Sequence, residues 1–311
     1  MILTVTPNSA LDRVFIIETW TPGRPLRIDH AVTAAGGKGI DVAVSLSCQG
    51  IPSRALCFLA GETGRRLEQL LVDYGIELLP VWVGGETRTA HVIVERQQER
   101  HTHLIAGSMR IEPDDLDTFL DILRRKLSEA SWMVCGGSLP PALDSRFFAQ
   151  IVELAHEKRV PSLVDTSSLP LEPVLAAAPA VVKLNREELN VAFGSPLSDQ
   201  EEIIGAGLDL IDRFSLKSLV ITCGENGLYA FTGNAVYFAQ APAQKVVNAA
   251  GAGDAASGAL VHNLALGRSW PEAVRRAAAV SAATVLTEAT AECRMADISR
   301  ILPQTTVSRI L

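Results

Sequence analysis

From residue 113 onward the apolar positions switch repeatedly between two periods, and this alternation restricts the chain more than any other feature. Pro113-Asp-Asp opens a helix with Leu116, Leu120, Leu123 and Leu127 on one face. Trp132 to Cys135 reads as a strand ending in Gly136-Gly-Ser-Leu-Pro140. A helix over 144–158 follows, then strands at Ser162 to Asp165 and Ala180 to Leu184. Asn185-Arg-Glu-Glu188 begins a helix stopping near Gly194, and Ser198-Asp-Gln-Glu201 has the form of a capping box for the next. Lys217 to Thr222 is a strand closed by Cys223-Gly224, and Leu228 to Phe231 with Ala235 to Phe238 reads as a hairpin. The last helices run from Gly253 to about Gly267 and from a second capping box, Ser269-Trp-Pro-Glu272. Strands alternating with helices predict an α/β fold: a mainly parallel central sheet with helices on both faces and right-handed crossovers.

The N-terminal third departs from that rhythm. Ile2 to Val5 is a short buried strand ended by Pro7-Asn8, with Asp12 expected in the loop beyond it. Val14 to Ile17 and Leu26 to Asp29 alternate around the turn Thr21-Pro-Gly-Arg24. A second alternating pair lies at 78–83 and 90–96, followed by the polar turn Gln97-Gln-Glu99 and a returning strand from His101 to Ile105. These segments predict a small β-sheet lid inserted at about 13–35 and 78–106 into one domain spanning 1–311. The lid either covers a site or makes a dimer contact. His101 and His103 would share one face of its strand, where two histidines without a third ligand are ordinarily just solvated.

Two glycine-rich runs lie against predicted helix starts. Val246 to Ala259 contains Asn248-Ala-Ala-Gly251-Ala252-Gly253-Asp254, with Ser257 and Gly258 behind it. Glycines there turn the backbone tightly and present unpaired amides, which favour an anion. An acid is a poor anchor for a resting phosphate. It is well suited to take a proton from a hydroxyl that attacks a phosphorus held by those amides. A single Asp near a helix start is explained by the dipole alone; the whole run points to catalysis. No Lys lies between Gly251 and His262, which excludes a P-loop, and the displaced third glycine at 258 argues against a dinucleotide fingerprint. Ala35-Gly-Gly37-Lys38-Gly39 gives a second candidate anion site, or equally a connector carrying a surface Lys. Arg88 would clamp the same anion or end a strand as an exposed charge.

Composition narrows the ligands. A formal net charge of −7 argues against a general nucleic-acid or membrane-surface binder. The five cysteines form no Cys-x-x-Cys pair, so neither a disulfide framework nor a zinc site is expected and a reducing cytoplasm fits. Met1 leads straight into Ile-Leu-Thr-Val-Thr, and no signal peptide or membrane span is expected.

Asp12, Gly136-Gly137-Ser138, Asn185 with Glu188, Thr222-Cys-Gly224 and Asp254 all fall at predicted strand ends, which converge on one crevice in a parallel sheet. Asn185 and Glu188 would orient waters around a magnesium ion carried by ATP, or simply cap their helix. Gly36-Gly-Lys-Gly39 early, Asn248 to Asp254 late, and Gly-Ser-Leu-Pro140 with Lys183-Leu-Asn-Arg-Glu-Glu188 between them resemble the ribokinase-like (PfkB-type) carbohydrate kinases over nearly the full chain. Thr4 to Asp12, Lys38, Glu86-Thr-Arg88 and Asn248 resemble the phosphofructokinase and tagatose-6-phosphate kinase branch. Members acting on free ribose or nucleosides typically carry Asn at the position of Lys38.

The resemblance implies an ATP-dependent kinase of a ketohexose phosphate (fructose 1-phosphate, fructose 6-phosphate or tagatose 6-phosphate), with Mg2+ and a homodimer made through lid strands. Asp254 would be the base, and the amides of Gly251, Ala252, Gly253 and Asp254 the anion hole. Asp12 would hold sugar hydroxyls beside Gly37, Gly39 and Asp41, while Lys38, Arg88 and Ser138 grip the phosphate. Lys183, Thr222 and Gly224 would approach the nucleotide phosphates, with Asn185 and Glu188 serving Mg–ATP. Replacing Asp254 by Asn is then expected to cut turnover with little effect on stability. Three positions depart from the branch: Asp41 replaces a usual Asn, Ser9 a usual Pro, and Leu184 the Pro before Asn185. The alternatives are a kinase of an unphosphorylated sugar or nucleoside, a silent sugar-phosphate binder on the same fold and, more distantly, a Rossmann dehydrogenase.

Overall fold

Every residue of β1 (Ile2–Thr6) is buried, as the centre of a parallel sheet demands. The computed structural model describes residues 1–311 except 29, 99, 145, 166–170, 195, 198 and 234, and of His101 the backbone alone. After β1 come β2 (Ala10–Ile17), β3 (Ala31–Gly36), α1 (Lys38–Cys48), β4 (Ser53–Leu59), α2 (Gly61–Asp73) and β5 (Glu77–Trp82). β6 (Gly84–Gly85), β7 (Arg88–Glu95), β8 (Arg100–Ala106), β9 (Met109–Arg110), α3 (Pro113–Leu127), β10 (Trp132–Gly136) and α4 (Arg146–Glu157) follow. Next are β11 (Ser162–Asp165), α5 (Glu172–Ala176), β12 (Val181–Asn185), α6 (Arg186–Phe193), α7 (Gln200–Phe214) and β13 (Ser218–Thr222). The chain closes with β14 (Leu228–Thr232), β15 (Ala235–Gln240), α8 (Ala252–Ala265), α9 (Trp270–Thr284), α10 (Met295–Ile301) and β16 (Thr306–Arg309).

Ten strands form the main sheet in the order β16-β15-β14-β13-β12-β11-β10-β1-β4-β5. From β13 to β5 all pairs are parallel, whereas β14 to β16 pair antiparallel. The chain builds outward from β1 toward β5, then returns to build from β10 in the other direction. The reversal lies between β1 and β10, where open α/β sheets bind ligands at the strands' carboxyl ends. Val134, Leu163, Val181 and Val220 pack against α1, α8 and α9 on one face. Met133, Cys135 and Val164 pack against α3 and α4 on the other, giving the predicted three layers.

The lid differs from its expected boundaries. A four-stranded sheet in the order β3-β2-β7-β8 is present, but its second strand covers 31–36. Residues 26–28 are not strand, and Asp29 lies outside the described residues. The alternating run at 78–83 belongs to the main sheet as β5, paired parallel with β4; alternation marks a half-buried edge strand as well as a lid strand. Asp12 sits on β2, opposite Ala34 and Ala90, and not in a loop. The helix after Gly194 is capped by Asp199, whose side chain accepts from the Glu202 amide at 2.9 Å; Ser198, the expected cap, lies outside the described residues. The pair β4–α2 carried no predicted element.

Two glycines of α7 separate helix propensity from packing. Gly205 is exposed with no heavy atom within 4 Å of an added Cβ, whereas a Cβ on Gly207 would enter the buried Phe231 ring. Urea unfolding should therefore show Gly205→Ala stabilising by roughly 0.5–1 kcal/mol. Gly207→Ala should destabilise by about 1–3 kcal/mol through overpacking. Equal effects of the two variants would refute this packing.

Candidate active site

Parallel register sets Asp165, the last residue of β11, beside Lys183 on β12. Both side chains are buried on the face covered by α8, and Lys183 Nζ lies 2.7 Å from Asp165 Oδ2. Lys38 Nζ, at the start of α1, hydrogen-bonds the other oxygen of Asp165 and reaches Glu188 Oε1 at 3.2 Å. Burial works against the Asp165 carboxylate, but Lys183 and Lys38 together hold its pKa below the ordinary value. Burial likewise opposes the charge on Lys38, and Asp165, Asp254 and Glu188 outweigh it, raising that pKa. One acid thus joins two lysines from three separate segments.

α8 begins directly over this group. Its cap, Gly251, has φ 78°, and a Cβ there would come within 2.5 Å of the Ala291 backbone nitrogen, so only glycine fits. The Ala252 amide bonds Ala249 O at 3.3 Å, while the amides of Gly251, Gly253 and Asp254 have no backbone acceptor among the described residues. Lys183 Nζ lies 2.8 Å from where a Gly253 Cβ would stand. Positive helix end, free amides and a lysine in one place can hold an anion. Asp254, half-buried on the same first turn, is pushed up to about 7 by burial and by the charge of Asp165, against the pull of Lys38 and Lys183. A carboxyl titrating there exchanges protons readily at neutral pH.

A second group faces the lid. Asp12 accepts from Thr290 Oγ1 at 2.9 Å. Burial pushes its pKa up to about 6, with Thr290 and Arg88 working against that rise. Asp41, on the first turn of α1, is buried with Oδ1 unpartnered; burial, Asp254 and Asp12 push it well above the usual range. Arg88 Nη2 bonds Asn8 O at 3.2 Å, and Asn8 Nδ2 bonds Ser138 Oγ at 3.0 Å across the reversal between β1 and β10. Gly36 lies under Asp12, where a Cβ would collide with the carboxylate; Gly37, φ 110°, turns the chain into α1.

Comparison with known proteins settles the family. The profile of the pfkB family carbohydrate kinases matches residues 10–297. The chain belongs to the pfkB family. It is 28% identical over 310 residues to the 1-phosphofructokinase of Bacillus subtilis, covering 100% of both chains. To the tagatose-6-phosphate kinase of Staphylococcus epidermidis it is 26% identical over 312 residues, again covering both in full. It superposes on the tetrameric inhibited form of phosphofructokinase-2 from Escherichia coli with a TM-score of 0.85 and 25% identity, covering 97% of this chain and 98% of that one. The pfkB match also accounts for the ribokinase-like arrangement of main sheet and small separate sheet.

Within this pfkB chain the anticipated residues fall into two sets. Lys38, Lys183, Glu188 and Asp254 gather around Asp165; Asp12, Asp41, Arg88 and Ser138 gather at the lid. Lys38, expected beside Arg88 on one phosphate, has its ammonium bound to Asp165 and Glu188. Asn185 and Glu188 close a reciprocal capping box: Glu188 N bonds Asn185 Oδ1 at 2.7 Å and Asn185 N bonds Glu188 Oε2 at 2.8 Å. Thr222 ends β13 beside Asn185, and Gly224 is exposed in the turn beyond. Asp165 and Thr290 were missed. The available signal for Asp165 was an acid ending the apolar run Ser-Leu-Val, since a buried strand that ends in a charge must supply a cation. No group of three metal-donor side chains occurs among the described residues, His103 included.

The raised pKa of Asp254 makes the effect of its replacement on stability depend on pH. A carboxyl at about 7 when folded, against 3.8 ordinarily, binds its proton more tightly in the native state. Its contribution therefore falls as pH rises from about 4 to about 7 and stays unfavourable above that. Asp254→Asn should melt at higher temperature than wild type at pH 8 and equal it near pH 4. Equal melting curves at both pH values would remove Asp254 from this environment.

Proposed function

We propose that this chain is an ATP-dependent kinase that transfers the γ-phosphoryl group to a hydroxyl of a ketohexose phosphate. The observation that carries the reading is Asp254, a carboxyl titrating near neutrality beside three amides without acceptors. The acceptor hydroxyl gives its proton to Asp254 as its oxygen bonds the γ-phosphorus and the bond from that phosphorus to the β-bridging oxygen breaks, releasing ADP. The amides of Gly251, Gly253 and Asp254, with Lys183 beneath, stabilise the charge on the migrating group. Lys38 spans Asp165 and Glu188 and, with Lys183, balances their charge beside the amides. Asp12 receives sugar hydroxyls, and Arg88 with Ser138 takes the phosphate the substrate already carries.

Thr222 and Gly224 stand where the nucleotide phosphates would run. Mg2+ suits this donor set only in its hydrated form. Both Glu188 oxygens and Asn185 Oδ1 are already engaged, so Asn185 and Glu188 would meet the ion's waters. When bound, the ion neutralises the β- and γ-phosphates.

A second reading, an unphosphorylated polyol acceptor, is favoured by Asp41. A buried acid with a free oxygen beside Asp12 suits hydroxyl donors and repels a phosphate. Coupled ADP-release assays over fructose 1-phosphate, fructose 6-phosphate, tagatose 6-phosphate and the free sugars separate the two. Turnover should require a phosphate ester, and kcat/KM should climb with pH through about 7 as Asp254 deprotonates. Asp254→Asn should lower kcat by roughly 10²-fold or more. Arg88→Ala should raise KM for the ester about 10-fold or more, the worth of a charge-assisted hydrogen bond. Turnover of free sugars alone would select the second reading, and sugar-phosphate binding without turnover, indifferent to Asp254→Asn, would defeat both.

Assembly as a homodimer through the lid belongs to the same proposal. Phe15, Ile93 and Leu104 lie on the lid face opposite Asp12, half-buried or exposed. Sedimentation should give a dimer that Ile93→Asp dissociates; a monomeric wild type would reject it. A cytoplasmic location accords with five free cysteines and with the absence, among the described residues, of a helix long and apolar enough to cross a membrane.

A further inference from the structure

Eight residues beyond Asp254, about 12 Å along α8 at 1.5 Å per residue, His262 lines a second cleft of about 370 Å³ near the helix's C-terminal end. It lies where the C-terminal ends of α1 and α8 meet the start of α9, and its walls include His262, Arg268, Arg275 and Arg276. Glu272 is the one acid on the lining, and its carboxylate is held by Ser269 through the backbone amide at 3.1 Å and the hydroxyl at 2.7 Å. Three guanidinium groups against one carboxylate make a positive pocket on a chain of net charge −7.

The three arginines are not equivalent. Arg275 is spent on the backbone, donating to Thr305 O at 2.8 Å and to Leu302 O at 3.0 Å. Arg268 is exposed at the C-terminal end of α8, where the helix dipole alone explains a cation. Arg276 has no such explanation. It is half-buried in the N-terminal half of α9 and has no hydrogen-bond or ion-pair partner among the described residues. Burial pushes its guanidinium pKa down, with Cys293 the opposing influence, and burial and Arg276 together push His262 down. A half-buried cation without a partner is costly unless something anionic arrives to meet it.

We propose that this cleft binds a phosphorylated small molecule, with Arg276 and Arg268 gripping a phosphate group. Its volume falls within the range of small-molecule sites, and guanidinium groups match phosphate oxygens two at a time. The site is separate from the phosphoryl-transfer crevice, and its occupancy does not depend on which acceptor that crevice takes.

Calorimetric titration at low salt tests this with inorganic pyrophosphate, fructose 1,6-bisphosphate and ADP, each added to wild type, Arg276→Met and Arg268→Gln. Crevice binding contributes equally in all three proteins, so the difference reports the cleft. At least one ligand should show a binding event weakened about 10-fold or more in Arg276→Met and less in Arg268→Gln, as expected for losing a charge-assisted pair. Pyrophosphate alone showing the effect makes the phosphate group sufficient; preference for the bisphosphate or the nucleotide makes the ester part of the ligand. Melting curves establish that Arg276→Met is folded, and the exposed Arg268→Gln keeps the test open if it is not. Superimposable isotherms in the three proteins for every ligand, or no binding by any, would overturn the proposal.

Discussion

Asp165 is the group on which the rest of the site leans. A buried carboxylate without partners costs several kcal/mol, and a buried pair that loses one partner costs roughly 3–5 kcal/mol. Here the penalty is met twice, by Lys183 from the neighbouring strand and by Lys38 from the start of α1. Because Lys38 also holds Glu188, the arrangement ties α1, β11, β12 and α6 to one point. That point lies beneath the first turn of α8. Its charges reach Asp254 directly: Asp165 raises that pKa, and both lysines restrain the rise.

Charge is unbalanced in the crevice as a whole. Asp12, Asp41, Asp165, Glu188 and Asp254 face Lys38, Lys183 and Arg88. Burial is the first reason why Asp12, Asp41 and Asp254 resist ionising, and neighbouring acids add to it at Asp41 and Asp254; the excess of acid also differs between the two ends. Near Asp254 the lysines and free amides favour an arriving phosphate. Near the lid, Asp12 and Asp41 share the single cation Arg88 among the described residues, which suits a ligand presenting hydroxyls first and one phosphate at most. A polyol entering lid end first, with a triphosphate opposite, matches both ends. An Asn in place of Asp41 would remove one acid and lighten the imbalance where the two readings of the acceptor diverge.

Much of this was legible in the sequence, for local reasons. The period changes after residue 113, the glycines around Lys38 and Asp254, and the Ser269 capping box are short-range signals, and they found the parallel sheet and both helix starts. What failed was what depends on partners far along the chain. Residues 78–83 alternate like a lid strand because one of their faces is covered, and only pairing with β4 tells which sheet they join. Asp12 looks like a turn acid after Pro7-Asn8 until β3 and β7 enclose it. Asp165 looks like the end of an apolar run until lysines 127 and 18 positions away are seen to share it. The glycines around Lys38 announce an anion site, but nothing near them in the sequence names Asp165 and Glu188 as the partners of its ammonium.

The segment after α9 shows how the two ends of the crevice are kept in register. Val285 O accepts the Val247 amide at 2.8 Å, and Asn248 Nδ2 donates to Glu288 O at 2.9 Å, which fixes the approach to α8. Thr290 bonds Asp12 on the lid sheet, and the very next residue, Ala291, donates to Ala250 O at 3.1 Å and packs against Gly251. Ala291 holds φ at 60°, a conformation that costs an alanine about 1 kcal/mol or more and persists only where its surroundings impose it. Two successive residues therefore fix Asp12 and the turn that frees the amides. Their spacing is set by one peptide unit. Acceptor and phosphoryl group must meet within a few tenths of an ångström for transfer to be fast, and a link this short supplies that positioning before either has bound.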